Sequence, residues 1–295
     1  MSRGRKVMWT IVGVYLLGII GLVLIFGFGH KNNSFQIQNE FKLTSWIHLG
    51  VLSINRAVVY LFIATVLTVL SMIFIAGRMR ARPNRVQTAV EMLYSFMREN
   101  ITRANMPDSL AVKWFPFIGA LFLFLWWCNM IGYIPLPTNS EQKFNVFGAH
   151  IPSFALYAAT ANISVPLVLA IVVFLVFNFE GIRTQGPIGY LKSLIPAGVK
   201  GPMLLLIFPL ELISTFMRLI SLTVRLFANI LAGHMIILFM AGGLAVILGL
   251  SFLGWFTMPA AIAIYLFELV LVATLQAFIF ATLAAIYIGG AVSHH

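Results

Sequence analysis

Charge is what this chain has least of. Asp, Glu, Lys and Arg together make up 9% of its 295 residues, where a soluble domain of this size carries about 25%. That scarcity excludes the soluble enzyme classes. Cysteine is nearly absent as well: Cys128 stands alone, so no intramolecular disulfide can form. No CxxC, GxxxxGK or HExxH pattern occurs, which leaves metal and nucleotide chemistry without a local signature, and no cofactor or metal ion is expected. No convincing internal repeat is present.

What fills the chain is apolar. Hydrophobic residues reach 61% and the mean hydropathy is +0.98. Several runs attain the roughly 20 residues needed to cross a bilayer core of about 30 Å. The fold class expected is an all-α polytopic membrane protein. The formal charge of +11 would suggest nucleic acid in a soluble chain, but here the basic residues sit mostly in short loops, where they record topology.

Spans are expected near residues 7–28, 55–77, 114–135 and 155–178, followed by a long hairpin over 203–290 whose arms complete six crossings. The first run follows the basic start MSRGRK and no small-residue cleavage site follows it, which favours an uncleaved anchor over a signal peptide. This divides the chain into an N-terminal anchor with an external loop (1–47) and a main membrane domain (48–295). VQTAVEMLYSFMRENI, residues 86–101, repeats Val86, Val90, Leu93 and Met97 at helical spacing and predicts an amphipathic surface helix. The first hairpin arm, 203–240, would be about 57 Å long as a helix, so it must tilt, kink or protrude. Gly242 and Gly243 mark its end.

Orientation follows from the basic residues. Three precede the first span, seven lie between 78 and 113, and three lie in 179–202. The alternate side has Lys31, Lys42 and Arg56 in one loop and Lys143 in the next. The positive-inside rule puts both termini in the cytoplasm.

Beyond residue 202 the only charged residues are Glu211, Arg218, Arg225 and Glu268, each inside an apolar arm. An Arg at the bilayer centre costs between about 2.5 and 17 kcal/mol, depending on how water and lipid relax around it. Glu211, Arg218 and Arg225 recur every seven residues and so drift only about 20° per step around a helix. Ser214, Ser221 and Asn229 share their stripe, with Ala228 and Ala232 small enough to admit another helix closely. His234 points to roughly the opposite side. In the orientation above, Glu211 lies in the cytoplasmic half, Arg225 and Gln276 near mid-depth, and His234 and Glu268 in the outer half. Two offset aqueous routes separated by a fixed cation would produce this distribution. Packing glue is the competing explanation for the lone Ser and Asn residues, and Arg218 has Glu211 two turns away as a structural partner.

The run Glu211–Ser214–Arg218–Ser221–Arg225-Leu-Phe-Ala-Asn229-Ile-Leu-Ala-Gly-His234, with LQAFIFATLAAIYIG from Leu275, resembles subunit a of the F-type ATP synthase. NMIGYIP, Asn129 to Pro135, is similar to another segment of that family. The resemblance covers about residue 45 to the end. It implies a proton-translocating stator subunit with two half-channels and no bond chemistry of its own. It implies that Arg225 faces the carboxylate of each passing c subunit and blocks direct leakage. Glu211 and Ser214 would serve the cytoplasmic half-channel, His234 and Glu268 the outer one. Asn229 and Gln276 would line the region near the arginine, with Arg218, Ser221 and Asn162 in support. The partners implied are the ring of c subunits, a peripheral stalk of b-type subunits braced near 86–101, and the lipid bilayer. A bacterial inner membrane is the setting that the basic N-terminus and extra anchor favour.

Three features depart from the family pattern. Glu268 stands eight residues before Gln276 where seven is familiar, a rotation of about 100° in a regular helix. Leu219 follows Arg218 where proline is common, and Thr160 stands where some members carry an acid. An anion transporter using Arg225, or an assembly scaffold with buried structural charges, are the competing functional classes. The first would be expected to show inverted repeats and interrupted helices.

Overall fold

The computed structural model describes residues 45–49, 52–77, 84–134, 143–146, 149–152, 158–193, 203–240 and 253–292, with eight helical positions scattered from Trp9 to Leu24. The anticipated span over 7–28 and the Gly242–Gly243 break therefore lie largely or wholly outside the described residues. Among those described, five helices are long and apolar enough to cross a membrane. The fold class is all-α and polytopic, as the composition requires.

The described chain divides into two compact units, Lys42–Gly233 with Phe267–His295, and Met1–Phe41 with His234–Leu266. The larger begins with a short ribbon, β1 (Ser45–Leu49) antiparallel to β2 (Leu52–Asn55), that leads into α1 (Arg56–Gly77). The Asn55 side chain accepts from the Val58 N–H at 3.1 Å, satisfying one of the donors left open at a helix start. The amphipathic segment folds as α2 (Arg85–Ser95), capped by Asn84, and runs on into a π-helix over Phe96–Arg103. Val86 at its start is exposed, whereas Met97, Ile101 and Thr102 are buried, so its far end is part of the core. α3 (Asp108–Gly132) follows, then a second ribbon, β3 (Lys143–Val146) against β4 (Ala149–Pro152). Neither ribbon was legible from periodicity, each strand being only four or five residues long.

The next span starts later than its apolar run suggests. A 3-10 turn over Ala159–Ala161 precedes α4 (Ser164–Gln185), because Asn162 has extended backbone (φ −99°, ψ 122°). Its side-chain oxygen accepts from the Ser164 N–H at 3.0 Å, and Pro166 falls in the first turn, where its missing N–H costs nothing. A glycine with φ +74°, Gly186, ends α4 and turns the chain into α5 (Pro187–Ser193). α6 (Met203–Leu238) is a single 36-residue helix, about 54 Å long at 1.5 Å per residue. α7 (Leu253–Phe267), a π-helix over Glu268–Val272 and α8 (Ala273–Val292) complete the described chain.

Small residues organise the core. Ala273, Ala277, Ala281, Ala284, Ala285 and Gly289 form a fully buried stripe on α8, allowing α3 to approach with Ile118, Leu121, Phe122 and Leu125. At Gly289 the Asn105 carbonyl already occupies the place a Cβ would take. α6 contributes Leu222, Leu226 and Ile230 to the same cluster.

Candidate functional site

α6 puts one face into this core and leaves the other open. Leu222, Leu226 and Ile230 are buried, whereas Ser214, Ser221, Arg225, Ala228, Asn229 and Ala232 are exposed along one stripe. The spacing that predicted a polar, small-residue seam therefore corresponds to a surface. Arg225 stands near the middle of that surface, and among the described residues no carboxylate lies within ion-pair distance of it.

Arg218 differs from Arg225. Its Nη2 lies 3.5 Å from Glu211 Oε1, and its guanidinium sits 5.6 Å from the centre of the Tyr287 ring on α8. Ser221 donates to the Arg218 carbonyl at 3.0 Å. Nearby, the Tyr190 hydroxyl donates to Asn178 Oδ1 at 2.9 Å, and its ring packs on Gly181. Burial pushes the Tyr190 phenol above its ordinary range, and the Arg218 charge opposes that rise. Ser214 is exposed and Glu211 partly exposed, so the predicted cytoplasmic-side pair lies on the open side of α6.

Glu268 occupies a different kind of place. It is buried at the start of the π-helix, and the Tyr133 hydroxyl donates to its Oε2 at 3.1 Å. Gly233 on α6 lies directly against the carboxyl: a Cβ there would be 2.5 Å from Cδ and Oε2 and 2.8 Å from Oε1. One helical turn away on α3, Asn129 donates to the Ala273 carbonyl at 3.1 Å and accepts from the Thr160 hydroxyl at 2.9 Å. Asn129 and Thr160 are fully buried, and Gln276 is buried one turn beyond Ala273.

The π-helix also answers the register question. The Ala273 N–H donates back five residues to the Glu268 carbonyl, so this turn holds one residue more than an α-turn. Eight residues from Glu268 to Gln276 then advance about as far as seven would in a regular helix, near 700°. Both side chains are buried, in spite of the extra residue.

His234, in the smaller unit, is fully buried. Asn162 accepts from the Ser164 N–H at the start of α4, and it is Thr160 that reaches Asn129. Three participants escaped sequence reasoning. Tyr133 and Asn129 belong to the NMIGYIP segment, where only their likeness to a family segment was noticed. Glu180, just beyond the expected 155–178 span, is buried within α4 and paired with Lys113 of α3. Its position within one turn of Arg183, at the end of an apolar run, was the available signal. Among the described residues no cluster of three or more His, Cys, Asp or Glu could hold a metal ion.

Comparison with known proteins bears on this arrangement. A family described as ATP synthase A chain matches residues 58–289. ATP synthase subunit a of Rubrobacter xylanophilus is 36% identical over 248 residues, covering 82% of this chain and 87% of that protein. ATP synthase subunit a of Pelagibacter ubique is 32% identical over 265 residues, 89% of this chain and 97% of its own length. The relative from Anaeromyxobacter dehalogenans, also described as ATP synthase subunit a, is 31% identical over 243 residues, which is 82% of this chain and 58% of that longer protein.

Proposed function

Because the chain belongs to the ATP synthase A chain family, we propose that it is the proton-conducting stator subunit of an F-type ATP synthase. The observation that carries this reading is the exposed stripe on α6, with Arg225 set among Ser221, Ala228, Asn229 and Ala232. A permanent cation on an open face at mid-helix is costly in lipid. It becomes favourable when an acidic group on a partner slides past. Small neighbours let that partner's helix come close.

The ring of c subunits supplies such a group. Arg225 would stabilise each carboxylate in its ionised form as it passes, and its own charge would repel a proton crossing directly between the two half-channels. Glu211 and Ser214 serve the cytoplasmic route; Glu268, Gln276 and His234 serve the outer one, with Asn229 beside the arginine. Arg218 and Ser221 hold the cytoplasmic end of the stripe, and Asn162 shapes the start of α4. The transmembrane potential contributes about 2.3 kcal/mol per charge per 100 mV to each transfer. The protein forms and breaks no covalent bond. The peripheral stalk's b-type subunits brace the complex near α2, and both termini face the cytoplasm of a bacterial inner membrane.

The test is ATP-driven acidification of inverted vesicles carrying the assembled complex, wild type against Arg225→Ala at matched levels. Passive leak is recorded after the soluble head is removed. Loss of pumping with raised leak supports the barrier role. Unchanged pumping refutes it and moves the anion-transporter and scaffold classes ahead.

A further inference from the structure

We infer that Tyr133 is a positioning residue of the outer half-channel, its hydroxyl holding the Glu268 carboxyl in the one orientation from which it exchanges protons. The inference rests on the reading of Glu268 as an outer half-channel residue.

Three features on three elements converge on this carboxyl. The Tyr133 ring is 1% exposed and stands immediately after α3, so its hydroxyl is delivered by a rigid, packed helix end rather than by a loop. Gly132 beside it packs so tightly on Ala158 that a Cβ would overlap that residue, which fixes the height of Tyr133. Gly233 lies directly against the carboxyl, so close that a Cβ there would overlap it. The π-helix that begins at Glu268 sets the angle at which the side chain leaves its own helix. Donor, wall and backbone each restrict a different freedom of the same group.

The position of Tyr133 at the end of α3 adds a second argument. Asn129 lies four residues earlier and so one turn along the same helix face. Both side chains reach the last two elements, Tyr133 to Glu268 and Asn129 to the Ala273 carbonyl, with Thr160 bracing Asn129. Two polar rungs, about 6 Å apart along the helix axis, thus join α3 to the π-turn and the start of α8, and about one turn before Asn129 the Trp126 indole donates to the Thr274 hydroxyl at 3.3 Å. The upper rung is the one that ends on a titratable group.

The experiment uses the complete ATP synthase in inverted vesicles, with Tyr133→Phe and Glu268→Gln compared at matched complex levels. Tyr133→Phe is expected to lower ATP-driven acidification about tenfold, the usual effect of losing one hydrogen bond to an ionisable group, while passive leak stays unchanged. The second readout is infrared difference spectroscopy of the purified complex. The carbonyl band that disappears in Glu268→Gln is expected at higher frequency in Tyr133→Phe, because its donor is gone. A merely structural tyrosine would alter assembly without moving that band. Full pumping or an unmoved band in Tyr133→Phe, with Glu268→Gln inactive, overturns the assignment and leaves the role of Glu268 standing. Full pumping in Glu268→Gln overturns the reading of Glu268 itself. Should Tyr133→Phe not assemble, a ring-fluorinated tyrosine at position 133 retains size and hydroxyl while strengthening the donor. The band must then move to lower frequency, and its failure to do so overturns the inference.

Discussion

Replacing Gly233 by alanine adds one methyl group at the most crowded point of the candidate site. The new Cβ would lie 2.5 Å from the Glu268 carboxyl carbon, against an ordinary contact of 3.4–4 Å. The carboxyl must therefore shift by about 0.9 Å, which spoils the geometry of the 3.1 Å bond from Tyr133. A hydrogen bond to an ionisable group is worth about 1.5–3 kcal/mol, so proton flux is expected to fall roughly ten- to hundredfold. Helix propensity acts in the opposite direction: alanine is better than glycine in a helix interior by about 1 kcal/mol. The complex should then stay assembled and thermally stable while pumping is lost, a separation that a simple folding defect would not give. Glu268→Asp, which withdraws the carboxyl by one methylene, is expected to restore part of the flux to Gly233→Ala but to impair the wild type. Vesicle acidification alongside thermal unfolding of the purified complex reads both quantities. Wild-type flux in Gly233→Ala, with Glu268→Gln inactive, would refute the reasoning.

Two further outcomes are expected. Deleting Val270 removes the extra residue of the π-turn and converts it to a regular helix with seven-residue spacing from Glu268 to Gln276, so pumping should be largely kept. Inserting an alanine after Val270 turns Glu268 by about 100° and should abolish pumping; equal effects of both changes would count against the register argument. Lys113→Ala leaves the Glu180 carboxylate buried without its cation, a loss of about 3 kcal/mol that the half-exposed lysine reduces. Lys113→Ala with Glu180→Gln should recover most of it, as measured by the melting temperature of the complex.

Much of the fold was legible before any coordinates. Long apolar runs placed the spans near 55–77 and 114–135, and the observed helices Arg56–Gly77 and Asp108–Gly132 follow them closely. The seven-residue recurrence of Glu211, Arg218 and Arg225 foretold a shared stripe, now seen on the open side of α6. Legibility failed where the helix departed from regular geometry. The late start of α4 depends on the capping of Ser164 by Asn162, and the depth of Glu180 depends on a lysine 67 residues earlier. Periodicity carries no record of either, because one is a local side-chain bond at a helix start and the other a partner 67 residues away.

The sequence alone determined that this chain lives in a membrane, since too few charges and too many apolar runs leave it no soluble core to form. It also determined which family the chain resembles, because Arg225 and its neighbours are a local run of residues whose order survives in one dimension. Only the tertiary structure decided where the Glu268 carboxyl sits. An offset of one residue can be absorbed by a widened turn or left to rotate the side chain away, and the two outcomes look identical along the sequence. Packing chose between them. With Gly233 against it and Tyr133 donating to it, the buried carboxyl is held in place by neighbours that come together only when the helices pack.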